Sequence, residues 1–202
     1  MKKIYLIRHG QTAANNGKMF QGSMDNSLNV LGLAQAEKLG EYFRQLKVDA
    51  IYSSPMLRAR MTAAAIATKK NMAYRTVDGL QEANFGQWEG MTFDEIYKRW
   101  PEQMDKFFTQ PASWEPPGGE SFPVVQKRAL TAFQQILDRT EEGQTVAIVS
   151  HGGIIRVQLC HILGMPLDNM WRLSAHNVSV TSLSEWDGNY IVDTINDYHF
   201  LK

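Results

Sequence analysis

The sequence predicts a three-layer α/β/α fold, with a mostly parallel central sheet, helices on both faces and a small helical cap. Short apolar runs of strand-forming residues alternate with longer segments whose apolar residues recur at three- and four-residue steps. This alternation is typical of a parallel sheet covered by helices. The last two strand-like runs are separated only by Asp187-Gly188-Asn189, which predicts a hairpin and an antiparallel addition to the sheet.

Length and composition favour one domain over residues 1–202, with a cap insertion at roughly 80–120. Lysine plus arginine equals aspartate plus glutamate at 21 each, so no overall charge attracts nucleic acid or a membrane surface. The single cysteine, Cys160, excludes an internal disulfide and suits a cytoplasmic location. No apolar stretch approaches bilayer thickness, and no feature of the chain indicates an oligomeric state.

The first half of the chain begins with a short buried strand and a polar loop. We predict, in order, a strand at Ile4–Ile7, a loop over Gln11–Ser27, a helix capped by Asn29, a strand at Asp49–Ser53, a helix opened by Ser54-Pro55 and running to about Lys70, and a short strand within Met72–Val77. The apolar face of the first of these helices is Ala36, Leu39, Phe43 and Leu46.

The second half begins with a loop, Leu80–Gly90, that carries glycine and aromatic residues. Pro101 divides the segment from Thr92 to about Gln110 into two short helices, which form the predicted cap. A long helix opens at Ser121, a strand covers Thr145–Val149, a helix runs to Leu163, and strands at Val178–Trp186 and Tyr190–Ile195 end the chain.

Two histidine-glycine pairs each follow a predicted strand, His9-Gly10 after the first strand and His151-Gly152 after Thr145–Val149. The carboxyl ends of parallel strands meet at one edge of a sheet, so both pairs should lie together there. Arg8 precedes the first pair, and Arg58 falls in the first turn of a helix. A strand that simply exits to solvent is the alternative for the first pair alone, and the second pair with two arginines argues against it.

This combination of residue types suits phosphoryl transfer. Two arginines can hold phosphate oxygens in fork geometry, and their charge removes the need for a metal ion or other cofactor. A neutral imidazole can attack phosphorus, so a phosphohistidine intermediate would divide ester hydrolysis into two easier steps. The departing alkoxide needs a proton. Glu82 and Glu89 are both candidate donors, because neighbouring aromatic residues could desolvate either carboxyl and raise its pKa.

Five segments then carry a family resemblance in the same order along the chain. They are Leu6-Ile-Arg-His-Gly-Gln-Thr12 with Asn15, Gln21-Gly22, Ser53-Ser-Pro-Met-Leu-Arg-Ala59 with Thr62-Ala63, Glu82-Ala-Asn-Phe-Gly-Gln-Trp-Glu-Gly90, and Ser150-His-Gly-Gly153. Together they resemble the histidine phosphatase superfamily, also called phosphoglycerate mutase-like, over about residues 3 to 182.

The resemblance implies a phosphoglycerate mutase-like fold and a small phosphorylated substrate. It implies His9 as the phosphorylated nucleophile, with Arg8, Arg58 and His151 completing the phosphate pocket. Glu82 would protonate the leaving group and then activate water, which leaves Glu89 a structural or solvated role. Further substrate contacts are implied for Gly10, Asn15, Gln21, Gly22 and Gly152.

The resemblance extends to the broad-specificity and α-ribazole phosphatases, because Phe85–Gly90 and Pro117–Ser121 are similar to theirs and the intervening sequence is compact. Glycolytic mutases usually carry longer insertions, and a short cap excludes less water from a phosphorylated intermediate. We therefore favour a phosphatase over a cofactor-dependent phosphoglycerate mutase. A non-catalytic phospholigand-binding module is the third hypothesis, although an ionised Glu82 would repel a dianion.

Three departures from the family pattern should affect substrate preference or loop stiffness rather than catalysis. Gln11 stands where an acid is frequent, Lys18 where arginine is frequent, and Asn26-Ser27 where a proline is usual. Four large side chains either line the leaving-group side of the pocket or pack elsewhere in the protein, and packing is the expectation for each. They are Met19, Phe20, Trp88 and Trp114.

Overall fold

The computed structural model describes all 202 residues and contains one six-stranded sheet. Its strands are β1 (Lys2–Arg8), β2 (Ala50–Ser53), β3 (Tyr74–Thr76), β4 (Thr145–Ser150), β5 (Val180–Trp186) and β6 (Asn189–Asp197). Their order across the sheet is β3-β2-β4-β1-β5-β6. The first four are parallel, whereas β5 pairs antiparallel with β1 and β6 antiparallel with β5. The predicted mostly parallel sheet with an antiparallel addition is confirmed.

Seven α-helices accompany the sheet. They are α1 (Ala13–Asn16), α2 (Val30–Arg44), α3 (Leu57–Lys70), α4 (Phe93–Arg99), α5 (Pro101–Thr109), α6 (Phe122–Asp138) and α7 (Gly152–Ile162). Short 3₁₀ turns lie at Asp78–Leu80, Gly86–Trp88, Leu167–Arg172 and His199–Leu201. None of the helices combines the length and the apolar character needed to cross a membrane.

Two separate apolar clusters pack against the two faces of the sheet. Successive strand residues point to opposite faces, so in β1 Ile4 and Leu6 join one cluster and Ile7 joins the other. Side chains of α6 and α7 complete the first cluster, and side chains of α2 and α3 complete the second. Helices therefore cover both faces, which confirms the three-layer prediction.

The cap consists of α4 and α5, and Pro101 opens the second of these helices as predicted. An aromatic cluster joins the cap to the first core, with the Phe107 ring 4.9 Å from the ring of Trp114 and 4.5 Å from that of Trp171. Trp88 and Trp114 are 0% and 1% exposed. These two tryptophans pack in the core, as expected, and do not reach the pocket described below.

Two local predictions were wrong. The polar loop after β1 contains the single-turn helix α1, because Thr12 and Asn15 form a capping box. Helix α3 begins at Leu57 rather than at Ser54-Pro55, and its N-cap is Met56. The Ser54 hydroxyl accepts from Met56 N at 3.3 Å and from His151 Nε2 at 2.8 Å. The carboxylate of Asp25 accepts from the Leu57 N–H. Arg58 still lies in the first turn.

Asn29 caps α2 as predicted and also ties this helix to the loop that follows β1. Its Oδ1 accepts from Gly32 N at 2.8 Å, and its Nδ2 donates to Gln11 Oε1 at 2.9 Å and to the carbonyl oxygen of Thr12 at 3.3 Å. The first bond satisfies an amide that the helix itself leaves without a partner.

We expect Asn29→Ala to lower the free energy of unfolding by about 1 kcal/mol, because the cap and two loop bonds are lost. Urea unfolding measures this change. Ser27→Ala is the matched control, since Ser27 is exposed and makes no side-chain hydrogen bond, and it should leave stability unchanged. Equal stability of the two variants would contradict the assigned role of the cap.

Candidate active site

A pocket of about 290 Å³ opens where β1 ends and α7 begins. Most of the residues predicted for the site line it. They are Arg8, His9, Asn15, Gln21, Gly22, Arg58, Glu82 and Gly152. Gly10 and His151, which were predicted with them, are absent from the pocket wall and lie behind it.

Parallel pairing of β1 with β4 brings the two histidine-glycine pairs together. The register places Arg8 beside Ser150, and His9 N donates to the Ser150 carbonyl oxygen at 3.0 Å. The ring centroids of His9 and His151 are 5.2 Å apart. The predicted meeting of these pairs at one sheet edge is confirmed.

His9 has a defined tautomer. Its Nδ1 lies 2.7 Å from the Gly10 carbonyl oxygen, which can only accept a hydrogen bond, so Nδ1 carries the proton and Nε2 keeps a free lone pair. Burial, together with the nearby Arg58 and Arg8 guanidinium groups, holds the pKa of His9 well below its usual value. The ring is therefore neutral and keeps the lone pair on Nε2.

Gly10 acts through its backbone rather than as part of the pocket wall. Its N–H donates to Thr62 Oγ1 at 3.0 Å, and its carbonyl oxygen accepts from His9. A Cβ at this position would lie 2.7 Å from the carbonyl oxygen of Gly32 in α2. Glycine is therefore needed here because the chain passes so close to α2.

Arg58 is fully buried and fixed by three hydrogen bonds, one from each nitrogen of its guanidinium group. Nε donates to His151 Nδ1 at 3.2 Å, Nη1 to the Met24 carbonyl oxygen at 2.6 Å and Nη2 to the Gly22 carbonyl oxygen at 2.8 Å. A guanidinium group has five N–H donors, so two remain for an anion in the pocket. Burial lowers the pKa of Arg58.

His151 supports the pocket from behind. Its Nδ1 accepts from Arg58 Nε, so its Nε2 carries the proton and donates to the Ser54 hydroxyl at 2.8 Å. Both ring nitrogens are thus already used within the protein, and the side chain is fully buried. Burial, Arg58 and His9 keep the pKa of His151 well below its usual value. In this arrangement His151 orients Arg58.

Arg8 supplies the second guanidinium group of the predicted pair. Its Nη1 donates to the Ala175 carbonyl oxygen at 2.6 Å, and its buried Nε has no partner in the protein. Burial and the neighbouring Arg156 lower the pKa of Arg8 to about 10. The group therefore stays charged near neutral pH and has N–H donors left for a ligand.

Asn15 and Gln21 present amide groups to the pocket. Asn15 Oδ1 accepts from the Thr12 N–H at 3.1 Å and from Asn177 Nδ2 at 3.2 Å. Gln21 Oε1 accepts from the Thr12 hydroxyl at 2.8 Å. Because both oxygens are occupied, the NH₂ groups are the parts of these side chains left to donate to an anion.

Glu82 is the carboxyl group that lines the pocket. Its Oε1 accepts from Ala83 N at 3.0 Å and its Oε2 from Gly153 N at 3.2 Å, at the first turn of α7. A Cβ at Gly153 would collide with this carboxyl, so the absence of a side chain there lets Glu82 approach α7. The role of Gly153 depends on this tertiary contact and was not predicted.

Glu89, the other candidate acid, is occupied elsewhere and does not line the pocket. Its Oε1 accepts from Ser23 N at 2.7 Å and from Phe85 N at 3.1 Å, and its Oε2 accepts from the Ser23 hydroxyl at 2.7 Å. These bonds tie the loop after Phe20 to the loop that carries Glu82. The contacts agree with the structural role that the resemblance implied.

Arg156, a third arginine that lines the pocket, was not predicted from the sequence. Its Nε donates to the Leu173 carbonyl oxygen at 2.7 Å, and its guanidinium carbon lies 5.3 Å from the centre of the Trp171 ring. The spacing could have predicted Arg156 at the site, because it follows Gly152 by four residues and therefore lies on the same face of α7.

The side of the pocket away from the arginines is apolar. Its lining residues are Met19, Phe20, Phe85, Phe93, Phe107 and Trp171. Both roles were left open for Met19 and Phe20, with packing favoured, and both residues contribute to the pocket wall. Phe20 also packs in the core, with its ring 5.1 Å from that of Phe85. Lys18 is exposed at the same pocket, with a left-handed φ of 52°.

Comparison with known protein families agrees with the resemblance that the sequence motifs carry. The family model described as histidine phosphatase superfamily (branch 1) matches residues 4–198. Phosphoserine phosphatase 1 of Hydrogenobacter thermophilus is 31% identical over 196 residues, covering 97% of this chain and 92% of the relative. Glucosyl-3-phosphoglycerate phosphatase of Mycolicibacterium vanbaalenii is 32% identical over 175 residues, covering 84% and 77%.

Solved structures agree with the fold. Bacillus stearothermophilus YhfR has a TM-score of 0.94 and 34% identity, with all of both chains covered. The α-ribazole phosphatase of Shigella flexneri has a TM-score of 0.87 at 22% identity, with 96% of each chain covered. The latter identity is low enough that this likeness shows a shared fold alone.

The lowered pKa of His9 should make stability depend on pH. Below the ordinary value of 6.5 the unfolded chain binds a proton at this residue and the folded protein does not, so the free energy of unfolding falls as the pH falls. For one histidine the slope approaches about 1.4 kcal/mol per pH unit.

Urea unfolding at several pH values between about 6 and 5 tests this in the wild type and in His9→Gln. The variant should lose stability less steeply, by about the contribution of one histidine. His161→Gln, which alters an exposed histidine, should keep the wild-type slope. Identical slopes for all three proteins would show that His9 titrates normally.

Proposed function

The chain belongs to branch 1 of the histidine phosphatase superfamily, and on this premise we propose that it is a metal-independent phosphatase acting on a small phosphorylated metabolite. We further propose that the reaction passes through a phosphohistidine at His9, with Glu82 as general acid and then general base. The observation that carries the proposal is the tautomer of His9, which leaves a free lone pair on Nε2. His9 lines the same pocket as Arg8 and Arg58.

In the first step Nε2 of His9 attacks phosphorus, and the bond between phosphorus and the ester oxygen breaks. The leaving alkoxide takes a proton from Glu82. Arg8 and Arg58 neutralise the phosphoryl oxygens, and the NH₂ groups of Asn15 and Gln21 donate to them. The ring becomes a phosphorylated imidazolium, whose charge is stabilised by the Gly10 carbonyl oxygen that accepts from Nδ1.

In the second step water takes the place of the alcohol. The ionised Glu82 accepts a proton from the water as its oxygen attacks phosphorus, and the bond between phosphorus and Nε2 breaks. Inorganic phosphate leaves, His9 regains its lone pair and Glu82 regains its proton. Retention of positive charge on the ring makes the imidazole a good leaving group, so the same Gly10 contact assists both steps.

For the substrate, we propose a phosphomonoester that carries a carboxylate. The two named relatives are called phosphatases of phosphoserine and of glucosyl-3-phosphoglycerate, and both compounds contain a carboxylate beside the phosphate. In this chain Arg156 supports the idea, because only its Nε has a partner in the protein. Glu82 is the one acidic side chain in the pocket wall and bonds to Ala83 N and Gly153 N instead of to Arg156, which can therefore pair with a carboxylate of the substrate.

The proposed reaction predicts that the purified protein hydrolyses 4-nitrophenyl phosphate and 3-phosphoglycerate in the presence of EDTA. His9→Gln should lose at least about a thousandfold in kcat, because the nucleophile is absent. Rapid alkaline quenching of the wild type with ³²P-labelled substrate should trap a base-stable, acid-labile protein phosphate that His9→Gln lacks.

His176→Gln is a suitable control, since His176 is an exposed histidine, and it should retain wild-type activity and labelling. A wild-type activity no higher than that of His9→Gln would favour a phospholigand-binding module. Dependence on added metal would contradict the mechanism. Formation of 2-phosphoglycerate ahead of free phosphate would favour a mutase.

The carboxylate proposal predicts a selective effect of Arg156→Met. The KM for 3-phosphoglycerate should rise about tenfold, because a charge-assisted hydrogen bond is lost, whereas the KM for glycerol 3-phosphate should change less than about twofold. Arg156→Lys is the matched variant that keeps the charge, and its KM for 3-phosphoglycerate should lie between those of the wild type and Arg156→Met. Equal increases for both substrates would assign Arg156 to the phosphate or to packing.

A further inference from the structure

Arg128 of α6 bonds to the loop that contains Glu82. Its Nη1 donates to the carbonyl oxygens of Gly79 and Gln81 at 3.2 and 2.6 Å, and its Nη2 donates to that of Glu82 at 2.9 Å. A Cβ at Gly79 would lie 2.9 Å from the carbonyl oxygen of Arg128, so the loop can pack this closely on α6 only with glycine there. The guanidinium group thus fixes the backbone up to and including Glu82.

Glu120 extends this arrangement past Glu82. It binds Arg128 through both oxygens, at 2.9 Å to Nε and 2.8 Å to Nη2, so that all five guanidinium N–H groups have an acceptor. Glu120 Oε2 also accepts from Asn84 N at 2.9 Å, and Glu120 N donates to the Asn84 carbonyl oxygen at 2.8 Å. The ion pair therefore holds the chain on both sides of Glu82.

We propose that the Arg128–Glu120 ion pair is the positioning element for the catalytic acid. It would set the place of the Glu82 carboxyl over the leaving-group oxygen without touching the substrate, since neither Arg128 nor Glu120 lines the pocket. The inference rests on the proposed function, in which Glu82 is the proton donor. Proton transfer requires hydrogen-bond distance, so a displacement of the loop by about 1 Å is costly.

The effect should be confined to proton transfer, because the other parts of the site are held independently. His9 follows β1, Arg58 belongs to α3 and Gly152 opens α7, and Arg128 makes no hydrogen bond to any of these residues. The direct hydrogen bonds of the ion pair go only to the loop that carries Glu82. Lysine cannot replace Arg128, since it lacks the planar fork that serves three carbonyl oxygens and a carboxylate together.

The test compares substrates whose leaving groups need a proton with one whose leaving group does not. We expect Arg128→Met to reduce kcat/KM for glycerol 3-phosphate at least about tenfold more than for 4-nitrophenyl phosphate, because nitrophenolate leaves without protonation. Glu82→Gln is the reference and should show the same selectivity more strongly. Arg128→Lys and Glu120→Gln, which are milder changes, should show it more weakly.

Phe43→Leu controls for a general loss of stability, because Phe43 is buried in the cluster on the opposite face of the sheet. It should affect both substrates equally, and urea unfolding shows whether each variant is folded. If Arg128→Met does not fold, Arg128→Lys and Glu120→Gln provide the same comparison.

The outcomes separate this inference from the proposed function. Selectivity in Glu82→Gln together with the Arg128 and Glu120 variants supports the positioning role. Selectivity in Glu82→Gln alone, with equal losses on both substrates in the other variants, overturns that role and leaves the proposed function intact. Absence of selectivity in Glu82→Gln overturns Glu82 as the acid, and the positioning role falls with it.

Discussion

The site depends on the parallel pairing of β1 with β4. Its register places Arg8 opposite Ser150, so the residues that follow both strands leave the sheet at the same edge. A shift of one residue would turn the side chains of either strand to the other face and separate His9 from His151. The alternating apolar residues of both strands fix the register, since each face packs on its own buried cluster. The core therefore specifies where His9 and His151 lie relative to each other.

Sequence alone was sufficient for the parts of the molecule that follow local rules. Short apolar runs indicated every strand, helical spacing of apolar residues indicated the long helices, and capping chemistry located Asn29 at the start of α2. Parallel strands end at one edge of a sheet, so His9 and Gly152 were predictable neighbours, and Arg58 joins them from the helix that follows β2. Family resemblance then separated Glu82 from Glu89, which residue chemistry alone had left equivalent.

The features that sequence reasoning missed all depend on tertiary contacts. Ser54 has the chemistry of a helix cap, but its hydroxyl pairs with His151, a residue 97 positions away in the chain. Arg156 had no motif to mark it and enters the site only because α7 begins at the sheet edge. Phe20 both packs in the core and lines the pocket. Residue type and local sequence do not predict these two roles at once. Tertiary context also placed His151 behind the pocket wall.

The site concentrates positive charge, although the net charge of the chain is zero. Arg8, Arg58 and Arg156 lie together with Glu82 as the acidic residue in the pocket wall, and burial lowers the pKa of each arginine. Backbone carbonyl oxygens accept from all three guanidinium groups, so the cations are held apart by fixed dipoles instead of by acidic partners. Carboxylate partners would compete with a phosphate dianion, whereas carbonyl oxygens orient each arginine and leave its full charge for the anion. The same reasoning explains why the Arg128–Glu120 ion pair lies outside the pocket. There it can fix the backbone around Glu82 without weakening the positive electrostatic potential at the phosphate.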